Sequence, residues 1–357
     1  MSKTLGEFKA KYDPATIIAR LEGELRRATA ESADATAIKQ LIGTLDDTLT
    51  KSAPPTWLEA PLVKPSSPGV PTLFLSDLHW GEVVRKAQIG GVNSFNLSIA
   101  HARMEHTIET AISLLRILDK GMDYPGIVVP LGGDMISGNI HDELTATNEL
   151  NTMPTVLDLY DVLVGAIRRL ADVFGAVRLP CVSGNHGRDT RKIWAKDRHA
   201  TSFDWLLYQF LAKHFKDDKR ISFFIPESSD ALYKIFNTRY NLTHGDQFRG
   251  GDSIIGPIGP LTRGNQKKQA RNQAVNQEYD LMLVGHWHQY IHLERLIVNG
   301  SMKGYDEYAY QGNFGYEPPR QALWITHPRY GLTYRMPVLC ERPPKHGAAT
   351  EWMSVAK

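Results

Sequence analysis

A chain of 357 residues with 42% hydrophobic and 22% charged residues has the balance of a folded globular protein, which excludes the disordered, fibrous and membrane-embedded classes. Its 41 Lys and Arg against 39 Asp and Glu leave a formal net charge of +2, so no global field announces a polyanionic partner and any basic surface is local. The two cysteines, Cys181 and Cys340, are too few for a disulfide framework, and a reducing cytoplasm is the expected location.

The opening MSKTLGEFKAKYDP carries charge without a following apolar run. No stretch approaches the roughly 18 apolar residues of a membrane span, so no membrane role is expected. The Asn299-Gly300-Ser301 sequon is accordingly read as unused. From about residue 14 to 50, Ile18, Leu21 and Leu25, then Ile38, Leu41, Leu45 and Leu49, fall at helical spacing and predict a helical hairpin over 1–52. The Pro-rich stretch 53–71 cannot hold a regular element and reads as a linker. A catalytic domain over 72–340 and a short tail over 341–357 complete the expected organisation.

Within that domain, Leu73–Leu75 predicts the first strand. A helix follows over Asn96–Lys120, with Met104, Ile108, Ile112 and Leu115 on one face, and then a strand at Ile127–Leu131. A second helix is expected over Thr155–Phe174. The third strand, Val177–Ser183, contains Pro180, which points to an edge position or a bulge. The second half reads as mainly β: Ile221–Ile225, Leu232–Phe236, Tyr240–Thr243, Leu281–Val284, Ile291–Val298, Ala322–Thr326 and Leu332–Val338. A single helix, near Gln266–Gln277, interrupts it. The expectation is an α/β fold of two packed sheets with helices outside and an N-terminal helical appendage.

Clusters of metal-binding residue types close several of these strands, where an open α/β sheet collects its ligand site. Asp77 and His79 follow LFL, two apart, so strand alternation would aim both at one ion. Gly132-Gly133-Asp134 follows IVVPL and presents a carboxylate whose two oxygens can bridge two cations. Gly184-Asn185-His186 follows LPCVS. His244 ends YNLT, and Gly285-His286-Trp287-His288 follows LMLV with two imidazoles at strand spacing. Each cluster alone is compatible with a turn residue or a packed histidine. Five in this order are not a chance arrangement.

The series D-x-H, G-D, G-N-H, H and G-H-x-H resembles the calcineurin-like metallophosphoesterase superfamily over about Thr72–Val338. Wording such as SDLHWGE, GDMISG and HGDQFRGG is similar to phage- and plasmid-encoded members. The resemblance implies a four-layer sandwich in which Asp77, His79 and His288 hold one divalent ion, Asn185, His244 and His286 hold a second, and Asp134 bridges them. Mn is the expected metal, with Fe, Zn or Ni as alternatives. It also implies that His186 is the general acid. The family usually follows this His with an acid, whereas this chain has Gly187. Asp189 or a backbone carbonyl could orient the ring instead, with Arg188 beside it.

For substrate, Arg191 and His141 lie near these motifs. A basic stretch with Arg249, Arg263, Lys267, Lys268 and Arg271 separates the fourth and fifth, and guanidinium forks match phosphate oxygens. The same charges could simply solvate a helix face. The leading expectation is phosphodiester hydrolysis in DNA or RNA, resembling the superfamily's repair exonucleases. A small nucleotide or cyclic nucleotide substrate is the alternative, and a scaffold without activity is a third reading. The appendage could recruit a partner or form a homodimer.

Overall fold

The computed structural model describes residues 14–28, 69–120, 123–250, 256–342 and 353. The chain divides into two units, Met1–Pro65 and Ser66–Lys357. In the first, α1 (Pro14–Ala28) carries Ile18, Leu21 and Leu25 on one face, with i,i+4 pairs Arg20–Glu24 and Glu22–Arg26 on its surface. The second predicted helix, over 38–49, and most of the predicted linker and tail lie outside the described residues.

The second unit contains two mixed sheets. The larger has the order β11-β10-β1-β2-β3-β4, formed by β1 (Val70–Phe74), β2 (Ile127–Val128), β3 (Val177–Pro180), β4 (Ile221–Phe224), β10 (Arg320–His327) and β11 (Gly331–Leu339). Strands β1 to β4 run parallel, and β10 pairs antiparallel with both β1 and β11. The smaller has the order β5-β6-β7-β9-β8, from β5 (Asp230–Ile235), β6 (Thr238–Thr243), β7 (Leu281–Val284), β8 (Ile291–Leu293) and β9 (Leu296–Val298). Its central strands β6, β7 and β9 are parallel.

Side-chain alternation builds the layers. On β7, Leu281 and Leu283 join Phe74, Val128, Ala322 and Trp324 in a core between the sheets, while Met282 and Val284 face outward with Leu261. Leu261 belongs to α6 (Ile258–Gln273), which covers the smaller sheet. Behind the larger sheet, Leu73, Ile127, Val129 and Val177 pack against α2 (Leu97–Leu118), α4 (Thr152–Phe174) and α5 (Phe203–His214). Two short helices, α3 (Asp142–Thr147) and α7 (Glu307–Gln311), lie in connections.

Several expectations are corrected here. Pro180 occupies the last position of β3, an interior strand between β2 and β4 rather than an edge; its carbonyl accepts from Leu131 N, and the donors Cys181 N and Val182 N on its C-terminal side carry the pairing on. Pro130 similarly shortens the predicted Ile127–Leu131 strand, with pairing resuming at the isolated Leu131–Cys181 bridge. Ile291–Val298 is a hairpin of two strands that turns at Glu294 and Arg295. The predicted Gln266–Gln277 helix begins at Ile258, because Pro257 and Pro260 sit at its first turn, where a missing N–H costs nothing. The short α7 also interrupts the mainly β half, and helix α5, between β3 and β4, is not among the expected elements. Ser202 caps it by accepting from the Trp205 N–H, and its FDWLLYQFLAKH sequence has apolar residues on most faces and so lacks a clean helical period.

Asn299 of the sequon is fully buried, its amide donating to Phe74 O and its oxygen accepting from Ala322 N, so it joins the two sheets. Cys181 and Cys340 are both free and buried.

Candidate metal centre

The five clusters sit at the carboxyl ends of β1, β2, β3, β6 and β7. Because these strands are parallel within each sheet, their ends converge on one edge of the sandwich. The backbone there is unusual: Asp77, His79, Asp134, His286 and His288 have φ of 53°, 47°, 51°, 64° and 51°. Asp and His tolerate this left-handed region better than most residues, but each such position costs about 1–3 kcal/mol and persists only when its surroundings impose it. The constraints are visible. Asp77 N donates to Gly133 O at 3.0 Å, His79 N to Asp134 O at 3.1 Å, and His286 N to Asp77 Oδ1 at 2.7 Å. The ligand loops therefore hold one another. Left-handed turns, rather than strand alternation, aim these side chains.

Two groups of donors result. Asp77, His79 and His288 converge, with His79 Nε2 2.9 Å from His288 Nε2 and His288 Nε2 3.5 Å from Asp77 Oδ1. Asp134, His244 and His286 form the other, with His244 Nε2 3.0 Å from Asp134 Oδ2. Asn185 Oδ1 joins the second group, 3.2 Å from His244 Nε2. His286 and His288 thus fall in different groups. A third convergence, His79, Asp134 and His186, places the Asp134 carboxylate between the first two. Asp134 Oδ2 is buried and accepts from no backbone N–H; the group facing it is His244 Nε2, itself part of the donor set, and a cation bound between them would compensate the carboxylate in its place. The donor set of imidazole, carboxylate and amide fits two borderline divalent ions.

The electrostatics agree. Burial alone would drive the His244 pKa down, yet the carboxylates of Asp134, Asp77 and Asp246 raise it to about 10. An anionic field strong enough to hold that proton is one that attracts a divalent cation. Burial lowers His79 to about 3, helped by Lys303, and burial with the charge of His244 lowers His286 to about 4, so both rings are neutral donors.

Around the donors lies a supporting shell absent from the sequence reading. His79 Nδ1 faces Glu82 Oε2 at 3.3 Å, Glu82 Oε1 accepts from Lys303 Nζ at 2.8 Å, and Lys303 also pairs with Asp306. All four residues are buried. A carboxylate behind a ligating imidazole fixes its orientation. His244 Nδ1 is likewise fixed by Gly132 O at 2.8 Å, leaving Nε2 for the cluster. Asp204, fully buried at the start of α5, accepts from the backbone N–H of Asp134 (3.0 Å), Met135 (3.2 Å) and Gly184 (2.9 Å). Burial and the neighbouring Asp134 push its pKa up to about 6 against those donors. Glu82 lies within the SDLHWGE wording and could have been flagged. Lys303, Asp306 and Asp204 carry no local motif.

His186 is anchored by its N–H to Asp134 Oδ1 at 2.7 Å, and its Nδ1 pairs with Ser137 O at 2.8 Å. Of the two expected ring partners, the structure shows the backbone carbonyl; Asp189 is exposed and its N–H donates to Thr201 O. Burial lowers the His186 pKa, while Asp134 and the Ser137 carbonyl work the other way. Arg188 turns back, donating to Asn185 O and Thr190 O. The exposed His141 ring lies 6.1 Å from that of His186.

The basic stretch is divided. Arg249, Arg263 and Lys267 are exposed, whereas Lys268 is buried and, with Arg271, binds Asp230. Both cations are thereby held on one shared carboxylate, which offsets one of the two charges.

No family model matches the chain, and no curated protein matches it. Among solved structures, the chain is similar to a conserved uncharacterised protein of Streptococcus pneumoniae described as a predicted phosphoesterase. Identity is 12% and the TM-score 0.27, covering 72% of this chain and 84% of that one. It is also similar to the Zn-complexed Vps29 of Entamoeba histolytica (11% identity, TM-score 0.30, 76% and 100% covered) and to vacuolar protein sorting 29 of Cryptosporidium parvum (14%, 0.28, 75% and 96%). No helix among the described residues is long and apolar enough to cross a membrane.

Proposed function

We propose that the chain is a metal-dependent phosphoester hydrolase that cleaves phosphodiester bonds, with nucleic acid as its substrate class. The observation that carries the reading is the pair of donor groups, Asp77/His79/His288 and Asp134/His244/His286 with Asn185, linked through the buried carboxylate of Asp134, which also converges with His79 and His186. Two divalent ions held there, Mn2+ foremost and Fe, Zn or Ni as alternatives, would polarise a phosphate and acidify a water.

The protein's own residues supply the rest. Glu82 and Gly132 O hold the ligand imidazoles of His79 and His244 in one orientation. With Nδ1–H committed to Ser137 O, the protonated His186 ring has its Nε2–H free for the departing oxygen. Exposed Arg191, Arg263 and Lys267 provide cationic surface in the same unit, which favours a polyphosphate backbone over an uncharged ester.

The test is a panel with Mn2+-loaded protein: bis(4-nitrophenyl) phosphate, 4-nitrophenyl phosphate, cyclic nucleotides, single- and double-stranded DNA, and RNA. Metal-dependent cleavage of the aryl diester and of at least one nucleic acid is expected. Turnover confined to monoesters or cyclic nucleotides would overturn the substrate class. No turnover with metal bound would favour a scaffold.

A further inference from the structure

The loop that follows Asn185 and His186 has a composition and a placement that the metal chemistry does not explain. Its base is clamped at several points: Arg188 bridges to Ser202, Asp189 N donates to Thr201 O at 2.9 Å, and Phe203 N donates to Gly187 O at 2.7 Å. Arg188 Nη1 also donates to Asn185 O at 2.7 Å, and Arg198 pairs at 2.9 Å with Asp246, two residues past His244. The loop is therefore tied to the backbone of Asn185 and to the side chain of Asp246 beside the His244 turn, at the rim of the second donor group.

Beyond that clamp, Arg191, Lys192, Ile193, Trp194 and Lys196 are all exposed, Ile193 by 50% and Trp194 by 54%. No acidic residue lies between Asp189 and Asp197. Among the described residues, none of the three cations pairs with a carboxylate. A large uncovered indole among unneutralised cations is an arrangement that water serves poorly. A flexible polyanion carrying aromatic faces satisfies both features, because its phosphates take the cations while a base covers the ring.

We propose that loop 190–197 is a binding strap for single-stranded nucleic acid, in which Trp194 stacks on an unpaired base and Arg191, Lys192 and Lys196 take backbone phosphates flanking the scissile one. The proposal rests on the phosphodiesterase reading for the adjacent site and adds to it a strand preference. Duplex bases are stacked on one another and offer Trp194 no free face, so the strap selects single strands. The charge pattern supports the choice of occupant: Arg191 and Lys192 on one side and Lys196 on the other bracket the apolar Ile193-Trp194-Ala195, so phosphates on either side of a stacked base would each meet a cation.

The experiment uses the full-length, Mn2+-loaded chain and its Trp194→Ala and Trp194→Phe variants. Affinity for a fluorescein-labelled single-stranded oligonucleotide is measured by anisotropy beside an abasic oligonucleotide of equal length and a duplex. Trp194→Ala should weaken binding of the normal single strand by roughly 5- to 150-fold, and that of the abasic strand and the duplex by much less. Trp194→Phe, which keeps an aromatic face, should restore most of the affinity. Replacing Arg191, Lys192 and Lys196 with Gln should flatten the log-log salt dependence by up to about 0.7 for each contact.

Equal losses on normal and abasic strands would overturn the stacking role, as would failure of Phe to restore binding. Binding of anionic vesicles without affinity for the oligonucleotide would reassign the loop and overturn the proposal. Wild-type protein that cleaves bis(4-nitrophenyl) phosphate yet binds no single strand would refute the strap alone. Trp194-dependent binding in a protein that cleaves no phosphoester would refute the hydrolase reading and leave the strap standing.

Discussion

Gly187 stands where related motifs place an acid, and installing that acid should damage the protein. The glycine is not required by its backbone, since its φ is not among the left-handed values. It is required by Asp204: a Cβ at position 187 would lie 2.8 Å from Asp204 Cγ and Oδ1 and 3.1 Å from its N. Asp204 has little room to yield, because its carboxylate accepts from Asp134, Met135 and Gly184. Gly187→Ala therefore carries the steric cost alone, about 1–3 kcal/mol for overpacking. Gly187→Asp adds a second buried carboxylate and displaces the first, leaving at least one N–H unpaired at about 1–3 kcal/mol more. At roughly 2–4 °C per kcal/mol for a unit of this size, Ala should lower the melting temperature by about 2–12 °C and Asp by more. Thermal unfolding of the metal-loaded protein reads this directly. A Gly187→Ala protein that melts within 1 °C of wild type would refute the packing argument.

The supporting shell and the domain division give further expectations. Glu82→Gln removes the carboxylate behind His79 and should weaken metal binding by about 10- to 100-fold in isothermal titration calorimetry, whereas unchanged affinity would show that His79 needs no such support. His186→Ala should keep its metals but slow oligonucleotide cleavage by roughly 100- to 10,000-fold, with a much smaller loss on bis(4-nitrophenyl) phosphate, whose leaving group needs no proton. Equal losses on the two substrates would remove the general-acid role. Deleting residues 1–65 should preserve aryl diester hydrolysis, because every donor lies in the second unit; metal-free or insoluble protein would show that the first unit completes the fold.

What the sequence made legible follows from where the information sits. The strands and the long helices announce themselves because burial on one face imposes a period, as with Met104, Ile108, Ile112 and Leu115 on α2. The donors are visible because they cluster just past strands, four of them (Asp134, Asn185, His244 and His286) beside a glycine. The structure supplies a steric reason in one case: a Cβ at Gly184 would enter the space of the Asp134 carboxylate. Helix α5 was missed because apolar residues surround it, and with it went Asp204, a residue that acts on loops about 20 and 70 positions away. The Glu82–Lys303–Asp306 chain spans more than 200 residues and leaves no local pattern. Left-handed backbone at Asp77, His79 and His286 is also invisible in the sequence, since hydrogen bonds with other loops impose it.

The central claim is that Asp134 joins two metal sites into one hydrolytic centre. The direct test is to load wild-type and Asp134→Asn protein with Mn2+, count bound metal by mass spectrometry of the metal after gel filtration, and measure bis(4-nitrophenyl) phosphate turnover on the same samples. The account predicts two ions per chain and metal-dependent turnover for wild type, with fewer than two ions and turnover reduced by several orders of magnitude for Asn, since a neutral amide bridges two cations poorly. An Asp134→Asn protein that retains two ions and near-wild-type turnover would contradict it.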